Sequence, residues 1–122
     1  MKVFIVDDST ILCSRLKRLI ETVENCQVCG EAGSVSTAVP AILEKQPDIV
    51  IIDVQLTDGL GFEVFDQVNQ TGLKPVYIIL TNYPTPHYKK LCDNRKIHYF
   101  FDKTTDFEKV ITTLKEFSQA GN

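Results

Sequence analysis

The feature that most constrains the fold is a set of four short apolar runs that each end in polar or charged side chains. The runs cover residues 3–6, 49–52, 76–80 and 97–101, and they are followed by Asp7-Asp8, Asp53, Thr81 and Asp102-Lys103. Short continuous apolar runs are typical of strands that are buried on both faces of a parallel sheet. The carboxyl ends of such strands lie along one edge of the sheet, where open α/β folds bind ligands. We therefore expect carboxylates, a hydroxyl and an amine to meet in one small site.

The segments between these runs show helical patterns. After Asp8, apolar residues recur with a period near 3.6, which predicts an amphipathic helix that Ser9 can cap. Residues 27–32 predict a weaker second strand. Ser34 can begin a second helix that continues through Glu44, although Pro40 inside it removes a backbone hydrogen bond.

The second half of the chain repeats the alternation. A third helix carries Phe62, Phe65 and Val68, and Gly72 can end it. Thr85-Pro86 suits the start of a fourth helix, since proline is favoured at the first helical position. Thr105 and Glu108 have the spacing of a capping box at the start of a fifth helix. Five strands that alternate with five helices predict one α/β domain over residues 1–122, with a parallel sheet between two helical layers.

Composition and charge narrow the function classes. The net charge of −3 lacks the basic footprint of a nucleic-acid-binding domain, so we expect no direct nucleic-acid contact. No apolar stretch approaches the roughly 18 residues that a membrane span needs, and the N-terminus does not resemble a signal peptide. Cys26 and Cys29 have CxxC spacing, but no second ligand pair accompanies them, so we interpret them as structural thiols. The sequence predicts a cytoplasmic protein without a membrane partner.

The residues at the strand ends suit phosphoryl chemistry. Asp7 and Asp8 are adjacent carboxylates that repel each other unless a cation relieves them, and Mg²⁺ prefers such oxygen ligands. Asp53 can reach the same ion and can attack phosphorus to form an aspartyl phosphate. Lys103 would supply a second positive charge, and the Thr81 hydroxyl can bond a phosphoryl oxygen. Each residue alone also fits an ordinary role as a helix cap, loop residue or solvated charge, so the hypothesis depends on their combination.

These motifs resemble those of the receiver domains of bacterial two-component response regulators, and the resemblance covers nearly all of the chain. The matching segments are Val6-Asp7-Asp8-Ser9, Ile51-Ile52-Asp53-Val54, Gly61, Leu80-Thr81 and Phe101-Asp102-Lys103. The resemblance implies a flavodoxin-like three-layer sandwich with strand order 2-1-3-4-5. It also implies that Asp53 accepts a phosphoryl group from a phosphohistidine on a sensor histidine kinase or a phosphotransfer protein.

The resemblance further implies the ligands of the site. Asp8, Asp53 and the main-chain carbonyl of Gln55 would hold Mg²⁺ directly, and Asp7 would act through water. Thr81 and Lys103 would contact the phosphoryl group.

A conformational switch is implied in the same way. Thr81 would move toward the phosphoryl group, and Phe100 on the last strand would rotate inward behind it. The face formed by the fourth helix, the last strand and the fifth helix would then bind a downstream protein or a second copy of the chain. Such a domain is a switch and not an enzyme, with slow self-phosphorylation from small phosphodonors and slow self-dephosphorylation. Thr104 stands where receiver domains usually have a proline, often after a cis peptide bond.

Three functional alternatives remain open at this stage. The chain can be a stand-alone receiver, or it can be the N-terminal regulatory domain of a DNA-binding transcription factor whose output domain is absent. Residues 118–122 fit either a natural end or a trimmed linker. A haloacid-dehalogenase-like phosphatase is the third alternative, since residues 53–57 resemble a DxDxT motif. However, Gln55 replaces the second aspartate and the motif follows the third strand.

Overall fold

Five parallel strands form the central sheet of the computed structural model, which describes residues 1–120. They are β1 (Lys2–Val6), β2 (Gln27–Ala32), β3 (Ile49–Ile52), β6 (Val76–Thr81) and β7 (Tyr99–Asp102), in the order β2-β1-β3-β6-β7. The two-residue strands β4 (Gln55–Leu56) and β5 (Gly59–Leu60) pair separately in an antiparallel ladder after β3. Apart from this ladder, the order is the predicted 2-1-3-4-5, so the flavodoxin-like fold is confirmed. Residues 121 and 122 of the predicted domain and of its terminal segment lie outside the described residues.

Helices cover both faces of the sheet. They are α1 (Thr10–Ile20), α2 (Val35–Lys45), α3 (Gly61–Gln70), α4 (Pro86–Asn94) and α5 (Phe107–Ala120). The hydroxyls of Ser9, Ser34 and Thr85 each accept the backbone N–H three residues further on, at 3.2 Å. These bonds satisfy amides that a helix leaves unpaired at its N-terminus. The three predicted caps are therefore confirmed, and Pro40 lies inside α2 as expected.

Two predicted boundaries are wrong. The strand expected from residue 97 begins at Tyr99, because the N–H of Ile97 donates to the carbonyl of Cys92 and still closes the end of α4. The capping box expected at Thr105 is not formed within residues 1–120, and α5 begins at Phe107. The Thr105 hydroxyl instead contacts the carboxylate of Asp106, which accepts the N–H of Asp102.

The core consists of two apolar layers, one on each face of the sheet. The layer under α2, α3 and α4 contains Phe4, Ile52 and Val68, and Phe100 packs against it. The second layer lies on the opposite face of the sheet, under α1 and α5, and Tyr99 and Phe101 pack against it. This alternation follows from the two-residue period of a strand and places Tyr99 and Phe100 on opposite faces.

Two further features bear on the sequence-based expectations. No helix within residues 1–120 is long and apolar enough to cross a membrane. The same residues contain no cis peptide bond, so Thr104 follows Lys103 through a trans bond.

Candidate functional site

The register of the central strands brings the predicted site residues together. Val6 pairs with Ile52, so Asp7 and Asp53 leave neighbouring strands at the same level of the sheet. Thr81 pairs with Asp102, and the N–H of Lys103 donates to the Thr81 carbonyl at 2.9 Å. Four strand ends therefore meet at one edge of the sheet, as the sequence pattern predicts.

Three carboxylates form the negative part of this edge. One oxygen from each of Asp7, Asp8 and Asp53 can be chosen so that all three lie within 4.8 Å of one another. Asp7 is 6% exposed and Asp53 is 9% exposed, whereas Asp8 is exposed. Carboxylates that lose water in this way need a cation or hydrogen-bond donors to stay ionised.

Lys103 supplies one such cation. Its side chain is 10% exposed, and its Nζ lies 2.6 Å from Asp7 Oδ2 and 3.0 Å from Asp53 Oδ2. Burial favours the neutral amine, but the hydrogen bonds and charges of Asp7 and Asp53 outweigh it and raise the pKa of Lys103 above its usual value. The lysine is therefore held as an ammonium between two buried carboxylates.

The surroundings of Asp53 disfavour the ionised form of its carboxylate. Burial raises the pKa of Asp53 above its usual range, and the neighbouring Lys103 ammonium offsets only part of that effect. The negative charge of Asp7 raises the pKa further, while the N–H of Gln55 donates to Asp53 Oδ1 at 3.4 Å. An additional cation beside Asp53 would therefore stabilise its ionised form.

Main-chain contacts fix the remaining groups. The N–H of Ser9 donates to Asp7 Oδ1 at 2.8 Å, which orients that carboxylate at the start of α1. Thr81 is fully buried, and its hydroxyl accepts the N–H of Tyr83 at 3.1 Å. The hydroxyl therefore faces the loop that leads to α4.

Gly61 allows α3 to begin directly against the Asp53 segment. A Cβ atom at this position would lie 2.3 Å from the Asp53 carbonyl oxygen and 2.5 Å from Ile52 Cγ2. The Gly61 N–H donates to the Val54 carbonyl at 2.7 Å. The close approach explains why the segment after the buried strand needs a glycine here.

A cleft of about 350 Å³ opens over the strand ends. Its lining includes Asp8, Asp53, Gln55, Tyr83 and Lys103. Three carboxylates face one ammonium, so negative charge is in excess when all four groups are ionised. Carboxylate and carbonyl oxygens are the donors that a hard divalent cation prefers, so the residues present fit Mg²⁺.

The structure also shows a contact that the sequence did not predict. The side-chain amide of Gln55 donates to the Tyr88 hydroxyl of α4 at 3.3 Å. The two residues are separated by β5, α3, β6 and the loop before α4, and no local motif signals the contact. Phe100, by contrast, is half-buried, packs against the core layer under α2, α3 and α4, and does not line the cleft.

Comparisons with known proteins agree with this geometry. Residues 3–115 match the sequence model of the response regulator receiver domain. The chain is 29% identical over 119 residues to the sensory transduction protein LytT of Bacillus cereus, which covers 98% of this chain and 48% of LytT. It is 30% identical over 115 residues to the transcriptional regulatory protein DesR of Bacillus subtilis, which covers 94% of this chain and 57% of DesR. The chain therefore spans about half the length of these curated relatives.

A solved structure shows the same fold. The LuxR-family two-component response regulator of Aurantimonas sp. SI85-9A1 superposes with a TM-score of 0.87 at 24% identity, over 99% of this chain and 86% of that one. The match to the receiver family leaves the haloacid-dehalogenase-like alternative without support, since Asp53 also follows the third strand of the sheet. The strand order, the convergent strand ends and the match over residues 3–115 together show that this chain belongs to the receiver-domain family of two-component response regulators.

Proposed function

We propose that this domain is the phosphoacceptor of a two-component phosphorelay and that Asp53 takes the phosphoryl group. The observation that best supports the proposal is the buried Lys103 ammonium, which bridges Asp7 and Asp53 and lines the cleft together with the exposed Asp8. Such a cluster combines an ionised nucleophile with positive charge where a phosphoryl group would arrive.

The transfer follows from this arrangement. A carboxylate oxygen of Asp53 attacks the phosphorus of a phosphohistidine, the phosphorus–nitrogen bond breaks, and the released imidazole takes up a proton from solvent. Lys103 gives up its contact with Asp53 and donates to a phosphoryl oxygen, while Asp7 retains the ammonium nearby. Asp53 needs no general base, because a carboxylate is already ionised.

The proposed metal site uses Asp8, Asp53 and the main-chain carbonyl of Gln55 as direct ligands, and Asp7 acts through water. Bound Mg²⁺ supplies positive charge that offsets the negative charge of the phosphoryl group and of the carboxylates. This role fits the excess of negative charge at the cleft.

The proposed signal leaves the site through Thr81 and Phe100. Thr81 would exchange its bond with the Tyr83 N–H for one with a phosphoryl oxygen, and Phe100 would move further inward. The altered face of α4, β7 and α5 would then bind a downstream protein, an output domain or a second copy of the chain. We infer a cytoplasmic role, with a sensor histidine kinase or phosphotransfer protein as the phosphodonor.

The output is proposed to be either a stand-alone contact with a protein target or control of an attached DNA-binding domain. The second alternative is favoured by the additional length of LytT and DesR and by their descriptions as sensory transduction and transcriptional regulatory proteins. In either case, the domain catalyses no reaction other than its own phosphorylation and dephosphorylation.

The test is intact-protein mass spectrometry after incubation with phosphoramidate and Mg²⁺. We expect one phosphoryl group on the wild type, none on Asp53→Asn, and none after a chelator removes the metal. Asp58→Asn is the matched control, because Asp58 is an exposed carboxylate in the same loop. Labelling of Asp53→Asn at the wild-type level would contradict the proposal.

A further inference from the structure

One hydrogen bond joins the segment after Asp53 to α4, and the Gln55 side of this contact lines the cleft. Gln55 Nε2 donates to the Tyr88 hydroxyl at 3.3 Å, while the main-chain N–H of Gln55 donates to Asp53 Oδ1 at 3.4 Å. Gln55 is therefore connected to the acceptor carboxylate through its backbone and to α4 through its side chain.

Tyr88 is the fixed partner in this contact. Its N–H donates to the Thr85 hydroxyl, and its ring lies 6.2 Å from the ring of Phe62 at the start of α3. Tyr88 is half-buried and packs against the core layer under α2, α3 and α4.

The other end of α4 is also attached to α3. Arg95 donates to both carboxylate oxygens of Asp66 at 2.9 Å, and its guanidinium lies 5.1 Å from the centre of the Phe62 ring. The Tyr88 hydroxyl thus belongs to a helix that is held at both ends.

Gln55 is the more exposed partner. Its side chain is exposed and lines the cleft, and the bond to Tyr88 is the one hydrogen bond that its amide makes within residues 1–120. Loss of the Tyr88 hydroxyl would free the amide to leave the edge of the cleft, since exposed glutamines have considerable rotamer freedom.

We propose that Tyr88 is a positioning residue that holds the Gln55 amide at the edge of the cleft and thereby prolongs the phosphorylated state of Asp53. This inference rests on the proposed phosphoacceptor function. Dephosphorylation requires a water oxygen to attack phosphorus while the bond between phosphorus and the Asp53 oxygen breaks, which yields inorganic phosphate and the free carboxylate. An amide held at the edge of the cleft restricts the approach of that water, and it also makes the phosphoryl lifetime sensitive to the position of α4.

The first test is the rate at which phosphorylated protein loses its phosphoryl group in Mg²⁺, followed by intact-protein mass spectrometry. Tyr88→Phe removes the hydroxyl and keeps the ring against Phe62, so we expect dephosphorylation to become about threefold to tenfold faster, the range that corresponds to one neutral hydrogen bond. Tyr99→Phe is the matched control, because the Tyr99 ring packs on the opposite face of the sheet and its hydroxyl has no hydrogen bond among the described residues. We expect that variant to match the wild type.

A double-mutant cycle separates positioning from a general structural effect. Gln55→Ala keeps the main-chain carbonyl but removes the amide, so we expect faster dephosphorylation and no further acceleration when Tyr88→Phe is added. An unchanged rate in Tyr88→Phe would overturn the inference. Equal acceleration by Tyr88→Phe in the wild-type and Gln55→Ala backgrounds would also overturn it, because the effect would then bypass Gln55.

A measurement without phosphorylation keeps this inference distinct from the proposed function. In ¹⁵N-edited NMR spectra of the unphosphorylated protein, we expect the side-chain amide signals of Gln55 to move in Tyr88→Phe and to stay in place in Tyr99→Phe. If the wild type takes no phosphoryl group, the proposed function fails, and the lifetime effect fails with it, even where these shifts appear. If the wild type is phosphorylated but the Gln55 signals are the same in Tyr88→Phe, the positioning role alone is wrong.

Discussion

Replacement of Gly61 by alanine tests whether the start of α3 packs so tightly against the backbone at Asp53 that no side chain fits between them. The new methyl group would meet the Asp53 carbonyl oxygen at 2.3 Å and Ile52 Cγ2 at 2.5 Å. The oxygen belongs to the segment that directly follows the fully buried central strand β3, so it cannot retreat as a flexible side chain could. The clash can therefore be removed only if α3 or the backbone at Asp53 moves.

The magnitude follows from two opposing effects. Overpacking in a closed site costs about 1–3 kcal/mol, and contact with backbone places this case near the upper end. Alanine recovers about 0.5–1 kcal/mol because it restricts the unfolded chain and favours the helix. We therefore expect the free energy of unfolding to fall by about 2 kcal/mol, and the displaced Asp53 carbonyl should also slow phosphorylation.

Urea unfolding followed by circular dichroism measures the stability change. Gly72→Ala is the matched control, since its Cβ would meet nothing within 4 Å and only its φ of +89° opposes alanine. We expect that variant to lose about 1 kcal/mol and to accept phosphoryl groups at the wild-type rate. If Gly61→Ala unfolds at the same urea concentration as the wild type, the packing argument for this glycine is wrong.

Three further perturbations probe other contacts. Lys103→Met leaves two buried carboxylates without their ammonium, so we expect about 3 kcal/mol lower stability without Mg²⁺ and a partial recovery with it, measured by urea unfolding. Hydrogen bonds from the N–H groups of Val35 and Ser36 lower the pKa of Asp58, so its stabilising effect is present above the unfolded-state pKa and is lost as the pH falls through the lower folded-state pKa. Asp58→Asn should therefore flatten the loss of stability between about pH 5 and pH 3. A double-mutant cycle on Arg95 and Asp66 should give a coupling energy of about 1 kcal/mol, because the pair is bidentate and partly shielded.

Each of these perturbations has its own control. Equal stability of Lys103→Met with and without Mg²⁺ would contradict the proposed metal site. A pH profile of Asp58→Asn that parallels the wild type would show that this carboxylate does not stabilise α2. For the ion pair, the control is Lys89–Asp93, whose side chains are 50% and 61% exposed at 3.0 Å, and we expect its coupling to be about 0.3 kcal/mol.

The convergence of the site residues can be predicted from the sequence because it requires only that the apolar runs are parallel strands and that two of them are adjacent. Once residues 3–6 and 49–52 are read as parallel strands, adjacent pairing places Asp7 beside Asp53, and the observed register does so. Local caps such as Ser9 are equally accessible, since donor and acceptor lie three residues apart. The order of the strands came from the family resemblance and not from periodicity, which does not distinguish one parallel order from another.

Contacts between helices and loops could not be predicted from the sequence. Asp58 binds the start of α2 from a loop 22 and 23 residues away, and the Arg95–Asp66 pair spans 29 residues. Such contacts depend on the rotation and height of each helix on the sheet, which the spacing of apolar residues does not determine. The wrong start of α5 has a local origin, because the Asp106 carboxylate accepts the N–H of Asp102 at the end of β7 and α5 begins only at Phe107.

The most direct test of the central claim is the response of the amide NMR spectrum to beryllofluoride and Mg²⁺, which together mimic the phosphorylated state. We expect shifts at Asp8, Asp53, Thr81 and Lys103 that extend to Phe100 in the wild type and vanish in Asp53→Asn. An unchanged wild-type spectrum would contradict the claim, and so would the same shifts in Asp53→Asn.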